Sequence, residues 1–271
     1  MRRHALLIVG GAILLLVAAM AATAGLVFPD DPFGMVDQPL LWPGEVPGLP
    51  LGTDSLGRDI AADLFHGARA SLLIGLASTA AAVGIGVMVG AIAGYYRGLV
   101  DDALMRLTEL FQTIPPFMLA IVLLAVLGAR LGTIVTALAL VSWPGIARLV
   151  RGEFLGLRER EFVQSCKVVG MSDLRIIATQ ILPNALPPVI VTATVLVATA
   201  ILMEAGLSFL GLSDPNVMSW GHMINMGRDQ MREAWYIVVI PGLALLITAL
   251  GLNLFGEGLN DALNPRLRAR K

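Results

Sequence analysis

Residues that could carry out catalysis or bind a metal are few in this chain, and they lie far apart. The histidines are His4, His66 and His222 and the single cysteine is Cys166; none has the spacing of a metal site. The chain has no G-x-x-x-x-G-K-[ST] loop for nucleotide phosphates and no G-x-S-x-G or H-E-x-x-H motif of hydrolases. The sequence therefore predicts no metal site and argues against catalysis, with a membrane-embedded enzyme as an alternative.

One acidic residue, Glu204, lies well inside an apolar run, in "ILMEAGLSFLGL". A charge in the membrane interior is costly unless it faces water or a partner, so such residues are functional candidates. Two interpretations remain open for Glu204. It lines a solute pathway, or it accepts structural hydrogen bonds between buried helices.

The composition indicates a chain that folds in a lipid bilayer. Hydrophobic residues make up 56% of the chain, charged residues only 14%, and the mean hydropathy is +0.79. Soluble domains carry about 25% charged residues on average. The net charge of -1 argues against nucleic acid as a partner, because phosphate binding needs a basic surface.

Several apolar runs are long enough to cross about 30 Å of hydrocarbon as helices. The six predicted spans are residues 5–27, 71–94, 111–127, 133–149, 189–210 and 236–255. The first begins after "MRRH" and contains "AATA", which would also suit a secretory signal with a cleavage site. Its apolar core is longer than that of a typical signal, so an uncleaved anchor is the favoured interpretation.

The distribution of Lys and Arg predicts the orientation of these spans. If the N-terminus is cytoplasmic, the 19 basic residues divide 14 on the cytoplasmic side against 5 outside. Short cytoplasmic loops are enriched in Lys and Arg. We therefore expect both termini to be cytoplasmic in a multi-pass protein of a bacterial or archaeal cytoplasmic membrane.

A polar stretch, residues 161–188, interrupts this apolar chain between the fourth and fifth predicted spans. The segment 157–169 mixes charges with apolar residues, which is typical of a helix on a surface. Leu157, Phe162 and Val163 would form an exposed apolar ridge along that helix. Such a ridge could bind in a groove of a partner protein, and the alternative is a helix resting on lipid head groups.

The second half of this stretch predicts an elbow and another short helix. Gly170 is suited to the left-handed conformation that often follows a helix end. Ser172 could cap a second helix, "DLRIIATQIL", at residues 173–182. Pro183 would close or kink that helix, since proline removes a backbone hydrogen bond.

The segment that precedes the second span, "LGTDSLGRD", combines turn-forming glycines with charged and hydroxyl side chains. Thr53, Asp54, Gly57, Arg58 and Asp59 could cross-link this outer loop through hydrogen bonds and ion pairs. The favoured interpretation is a cap closed on itself. A docking surface for an external protein is the alternative.

Gly86, Gly90 and Gly94 are spaced four residues apart in the second predicted span. Small residues at this spacing lie on one helix face and let two membrane helices approach closely. The pattern predicts helix packing, either within the subunit or against a partner.

Several motifs together resemble the permease subunits of ABC importers of the dipeptide/oligopeptide/nickel type, in particular the shorter member of the usual pair. The resemblance extends over residues 51–268. The motifs that carry it are "LGTDSLGRD", "GARASL", "DDALMR", "WPGIARLVR", "GMSDLRIIATQILPNALPP", "EAGLSFLGL", "SWGHMI", "PGLAL" and "NLFGEGLNDALNPRLR".

This resemblance implies an all-α integral membrane protein with about six transmembrane helices, the type I ABC importer permease fold. Residues 1–70 would form an anchor helix and an outer loop, and residues 71–271 the transmembrane core. A cytoplasmic coupling loop would occupy about 150–188. The name coupling loop is used below for these residues.

In such permeases the coupling loop carries the signature E-A-A-x3-G-x9-I-x-L-P, whose first helix binds in a cleft of the ATPase subunit. Aligned on Gly170, this chain has Gln-Ser-Cys in place of Glu-Ala-Ala and Gln180 at the Ile position. The small side chains of Ser165 and Cys166 would still permit close docking. The resemblance places the ATPase-coupling residues at Glu161, Phe162, Gln164, Ser165, Cys166, Gly170, Leu182 and Pro183.

The resemblance also implies function and partners. The chain would form half of a pathway for a peptide or similar solute, paired as a heterodimer with a second homologous permease in the lipid bilayer. Two ABC ATPase subunits would bind ATP and Mg, this chain would bind no cofactor, and an extracytoplasmic binding protein would deliver substrate. Relatives carry dipeptides, oligopeptides, nickel chelates, glutathione, opines and oligosaccharides. A passive channel or ion-coupled carrier is the alternative, but more intramembrane charge or an inverted repeat would then be expected.

Overall fold

A computed structural model describes residues 2–263 as a helical bundle with a loop region at each end. Within these residues there are ten α-helices and no β-strand, apart from one isolated bridge between Thr53 and Asp59. The helices are α1 Arg2–Val27, α2 Ile60–Tyr96, α3 Gly98–Thr113, α4 Pro116–Leu127, α5 Leu131–Arg158, α6 Glu161–Val168, α7 Asp173–Ile176, α8 Leu182–Phe209, α9 Trp220–Gly227 and α10 Tyr236–Leu263.

Five continuous helical stretches are long and apolar enough to cross a membrane. They are Ala5–Val27, Ile60–Tyr96, Leu131–Arg158, Asp173–Phe209 and Tyr236–Ala262. A sixth span is present if the bent pair α3 and α4 is taken as one unit. The predicted all-α membrane class and the number of about six spans are therefore confirmed. Residues 264–271, which include four of the basic residues used for the predicted orientation, lie outside the described part of the chain.

The third predicted span, 111–127, was wrong as a single straight helix. The chain breaks between α3 and α4, whose axes differ by 82°. Ile114 lies before Pro115 and adopts an extended conformation, φ -94° and ψ 131°, because a following proline disfavours the helical region. Helix α4 has 12 residues and rises only about 18 Å, less than the hydrocarbon thickness.

Of the two effects predicted for Pro183 on the second short helix of the coupling loop, closure was wrong, because the helix continues past it. Helix α7 continues through a π-helical turn, Ile177–Ile181, directly into α8. The N–H of Leu182 donates to the carbonyl of Ile177, five residues earlier. This wider turn lets the chain pass the proline, which lacks an N–H, without a break.

The fourth predicted span, 133–149, continues in the structure through Arg158, well beyond its apolar part. Arg151 in this extension forms two hydrogen bonds with the Asp101 carboxylate of α3, both of 2.5 Å. Because the charge of Arg151 is paired with Asp101, α5 can continue past its apolar residues. The predicted surface helix is correspondingly shorter, and it begins only at Glu161.

Helix α2 lies at the centre of the bundle and makes its most extensive contact with α5. Gly86, Gly90 and Gly94 face α5, and their backbone lies against Ile146, the Ala147 carbonyl and Phe154 respectively. A Cβ at Gly90 would stand only 2.4 Å from the Ala147 oxygen. The glycine stripe therefore packs within the subunit, which decides between the two predicted uses of this face.

Two apolar clusters of the core lie at opposite ends of α2. One contains Ile60, Trp220 and Tyr236, next to the loop that precedes α2. The other contains Phe154 and Val163, next to the coupling loop. Helix α2 therefore connects the two loop regions. Helix α1 packs against α10 and α2.

We predict that Gly90→Ala destabilises the protein by about 1–3 kcal/mol, because the new Cβ would overlap backbone that cannot rotate away. Gly84→Ala is the matched control on the same helix, since no atom lies within 4 Å of a Cβ there. Alanine also favours helices more than glycine does. Thermal unfolding of the purified protein in detergent measures both variants, and equal melting temperatures for the two would contradict this packing.

Candidate functional site

The coupling loop turns at Gly170, as the sequence predicts. Gly170 has φ +83°, in the left-handed region. Its N–H donates to the Lys167 carbonyl and the N–H of Met171 donates to the Cys166 carbonyl, both at 3.0 Å. These two bonds form a Schellman motif, which ends α6 and sets the direction in which α7 leaves.

The exposed apolar ridge of the loop differs from the predicted one. Val163 is fully buried in the subunit's own core, so its assignment to an exposed ridge was wrong. Phe162 is 41% exposed, whereas Val168, Val169 and Leu174 are 76% to 88% exposed. Helix α6 directs Val163 into the core, whereas Val168 at its last position and Val169 directly after it are exposed.

The residues aligned with the Glu-Ala-Ala signature lie on α6 with different exposures. Gln164 is exposed and donates to the Arg158 carbonyl at 3.0 Å. The Ser165 hydroxyl donates to the Glu161 carbonyl at 2.9 Å, within the helix. Cys166 is partly buried against the core cluster below the loop. Gln164 and Ser165 are therefore available on the surface of the loop, and Cys166 is turned partly inward.

Sequence reasoning did not find the polar contacts that attach the coupling loop to the bundle. The Tyr95 hydroxyl, in the last turn of α2, donates to Asp173 Oδ1 at 2.5 Å. The Arg97 guanidinium and the Glu159 carboxylate are 2.9 Å apart. Tyr95 and Asp173 are 78 residues apart in the chain, and no local pattern relates them.

A second region of interest is the segment of residues 28–59 between α1 and α2, called the outer cap below. The Thr53 hydroxyl donates to the Gln38 carbonyl at 2.7 Å and accepts the N–H of Leu41 at 2.9 Å. The Tyr236 hydroxyl of α10 donates to the Leu41 carbonyl at 2.8 Å. These bonds close the outer cap on itself and attach it to the bundle, in agreement with the favoured interpretation.

Asp54, Arg58 and Asp59 form the turn that enters α2. The Asp54 carboxylate accepts the N–H groups of Leu56 and Arg58 at 2.8 and 2.9 Å. Asp59 caps α2 by accepting the N–H of Ala61 at 2.8 Å. Burial raises the pKa of Asp59, and its hydrogen bonds from backbone N–H groups oppose that effect.

Gly57 allows this turn to pass close to the start of the outer cap. It has φ +78°, and its carbonyl accepts the N–H groups of Val36 and Asp37. A Cβ at this position would stand 2.2 Å from the Asp37 oxygen. Gly57 is therefore required by both the backbone conformation and the close approach.

Glu204 lies at the junction of α8 and α9 and is 1% exposed. Its Oε1 accepts hydrogen bonds from the hydroxyls of Ser208 and Ser219, both at 2.7 Å. Ser219 is also the N-cap of α9, since its Oγ accepts the N–H of His222. Of the two interpretations of Glu204, this geometry favours structural hydrogen bonding within the subunit.

Next to this junction lie His222 of α9 and Asp214 of the loop between α8 and α9, and the pKa of each is lowered by its surroundings. His222 Nδ1 is hydrogen-bonded to the Ser213 hydroxyl at 3.0 Å. Burial, followed by the charge of Arg58, lowers the pKa of His222. Burial alone would raise the pKa of Asp214, but hydrogen bonds from the N–H groups of Asn216 and Leu131 lower it.

Across residues 2–263 no group of three or more His, Cys, Asp or Glu side chains is arranged to hold a metal ion. Two candidate regions are left. The coupling loop exposes apolar side chains among polar ones, and the outer cap is held by hydrogen bonds between its own residues. The exposed apolar side chains of the coupling loop are suited to contact with another protein.

Comparison with known families gives a match over most of the chain. Residues 86–269 match the model of the family described as binding-protein-dependent transport system inner membrane component. The di/tripeptide transport system permease protein DppC of Pseudomonas aeruginosa is 39% identical over 261 residues, 94% of this chain and 86% of that protein. The glutathione transport system permease protein GsiD of Pectobacterium atrosepticum is 36% identical over 270 residues, 99% and 89% respectively.

Solved structures have a similar fold at low sequence identity. An inward-facing structure of the MetNI methionine ABC transporter matches with a TM-score of 0.60 and 19% identity, covering 74% of this chain and 96% of that chain. An amino acid ABC transporter crystallised with histidines matches with a TM-score of 0.55 and 13% identity, covering 76% and 94%. These likenesses support the expected arrangement of helices.

We predict that Glu204→Gln destabilises the protein less than Glu204→Leu does, because the amide oxygen of Gln can accept both serine hydroxyls as Glu204 Oε1 does. Glu204→Leu removes both acceptors and should cost about 1–3 kcal/mol more than the Gln variant. Melting temperatures of the two purified variants measure the difference. If Gln and Leu destabilise equally, the hydrogen bonds to Ser208 and Ser219 do not hold α9 in place.

Proposed function

Because this chain belongs to the family of binding-protein-dependent transport system inner membrane components, we propose that it forms half of a pathway for a peptide or similar small solute. The chain is a multi-pass permease subunit of an ABC importer, and ATP hydrolysis belongs to separate subunits. The proteins that it resembles are named for di- and tripeptide or glutathione transport. These names support a substrate with a peptide backbone.

In the proposed assembly, one copy of this chain pairs with a second homologous permease. Two ABC ATPases bind ATP and Mg on the cytoplasmic side, and a binding protein delivers the solute from outside. Exposed apolar residues on α4, such as Met118, Val122 and Val126, support burial against lipid or the second permease. The glycine stripe of α2 cannot serve that pairing, because α5 covers it.

The coupling loop is the proposed contact with the ATPase. The observation that carries this proposal is the group of exposed apolar side chains, Phe162, Val168, Val169 and Leu174, on a loop rich in charge. Apolar side chains that are exposed close together often mark a site of contact with another protein. Gly170 sets the angle between α6 and α7, so it determines how these side chains are presented to the ATPase.

Reconstitution tests the proposed function directly. Proteoliposomes are prepared with this chain, the second permease, both ATPases and the binding protein. They should take up dialanine, trialanine or glutathione only when ATP is inside with the ATPases. Omission of this chain should abolish uptake. Uptake without ATP, or by this chain alone, would instead support a channel or a carrier.

We predict that Gly170→Val weakens ATPase binding by about fivefold to thirtyfold, because a β-branched residue at φ +83° costs about 1–2 kcal/mol. Gly170→Asn is the matched control, since Asn tolerates the left-handed region. No atom lies within 4 Å of a Cβ here, so the pair isolates the backbone effect. Co-purification of the ATPase measures both variants, and equal recovery with Val and Asn would contradict the elbow.

We predict that both termini and the coupling loop lie in the cytoplasm, on the evidence of the basic residues. Reporter fusions after Leu49 and after Gly170 should read outside and inside respectively. Reporters on the same side of the membrane would contradict this orientation.

A further inference from the structure

Tyr95 joins α2 to three helices of the coupling loop, α5, α6 and α7. Its side chain is 4% exposed, although it lies at the end of α2. The Arg158 guanidinium at the end of α5 lies 5.5 Å from the ring centroid, and Lys167 Nζ near the end of α6 lies 5.6 Å from it. The hydroxyl donates to the Asp173 carboxylate at the start of α7.

Arg158 makes a second contact at the same place, since its guanidinium also donates to the Tyr95 carbonyl. Both the backbone and the side chain of this residue are therefore bound by the loop. Tyr96, the next residue, is 51% exposed, and no hydrogen bond of its hydroxyl is found with residues 2–263. Tyr96 therefore shares none of these hydrogen bonds, whereas Arg97, the next residue, pairs with Glu159 of the loop at 2.9 Å.

The contacts of Tyr95 differ in kind from the apolar contacts beneath the loop. Val163, Ile176 and Ile181 pack against the bundle, and such burial is non-directional, so it holds the loop near α2 without defining its rotation. A short hydrogen bond to a carboxylate is directional and stronger than a neutral one. The bond between Tyr95 and Asp173 therefore defines where α7 starts relative to α2.

Helix α2 extends from this junction to the other end of the molecule. It has 37 residues and is about 55 Å long. At the far end, Asp59 of the outer cap forms its N-cap, and Trp220 of α9 donates through Nε1 to the Leu64 carbonyl at 3.0 Å. A displacement of the coupling loop that is passed to Tyr95 would therefore be applied to the helix that carries the outer cap.

We propose that Tyr95 is a positioning residue for energy coupling, which transmits movement of the coupling loop to α2 through its hydrogen bond with Asp173. This proposal rests on the proposed function, because it requires a coupling loop that an ATPase moves. Without the hydroxyl, the loop still packs on the bundle through its apolar residues. ATP hydrolysis then moves the loop with less effect on α2.

The test compares Tyr95→Phe, Asp173→Ala and the double variant in the reconstituted importer, with Tyr96→Phe as the matched control. Alanine offers no acceptor to the Tyr95 hydroxyl. Two quantities are measured: the ATP hydrolysed per molecule of dialanine or glutathione transported, and the melting temperature of the complex. A hydrogen bond of this type changes an equilibrium by about threefold to tenfold. We expect the ATP-to-substrate ratio to rise by that factor in each single variant and by no more in the double variant.

A purely structural role would lower the melting temperature and leave the ratio unchanged, which would overturn the proposal. Additive effects in the double variant would also overturn it, since the two residues would then act independently. Asp173 is exposed, so Asp173→Ala provides the test even if Tyr95→Phe assembles poorly.

The two levels of the proposal fail in different ways. If the wild-type complex shows no ATP-dependent uptake, the proposed function is wrong and the role of Tyr95 is overturned with it. If the wild type couples normally and both single variants keep the wild-type ratio, only the role of Tyr95 is wrong.

Discussion

The close approach of α2 and α5 is the contact on which the rest of the structure depends. In lipid, apolar side chains gain little by leaving the solvent, so helices associate through close packing and hydrogen bonds. Gly86, Gly90 and Gly94 let the backbone of α2 touch α5 over about two turns. Because α2 extends from the outer cap to the coupling loop, this contact fixes the frame to which both loop regions are attached.

Several charged groups attach helices to one another where that frame ends, although Glu204 Oε2 and Asp63 Oδ1 are buried without a hydrogen bond from the described residues. Asp101 and Arg151 join α3 to α5 near the coupling loop, and Glu204 joins α8 to α9 near the outer cap. A polar group buried without a partner is costly in low-dielectric surroundings. Asp101, Arg151 and Glu204 therefore serve helix attachment, while exposed apolar side chains on α4 and among the charges of the coupling loop are left for partner proteins or lipid.

The fold and part of the candidate site could be predicted from local patterns. Apolar length identified the membrane class and most spans, and Gly170 was correctly predicted as a left-handed elbow. The patterns were less reliable near proline. Pro115 breaks the third span by an 82° bend, whereas Pro183 is accommodated by a π-helical turn and breaks nothing. The two prolines have opposite effects because a π-helical turn before Pro183 lets the helix continue, whereas Ile114 before Pro115 is extended.

The sequence by itself determined properties that follow from composition and from residues close together in the chain: folding in a lipid bilayer, the helical stretches, the glycine spacing and the elbow at Gly170. The tertiary structure alone decided which partner each face meets. It placed Val163 inside and the valines after it outside, directed the glycine stripe of α2 to α5, and brought Tyr95 to Asp173 across 78 residues. Periodicity reports which residues share a helix face, but the rotation and position of each helix follow from the packing of all the others.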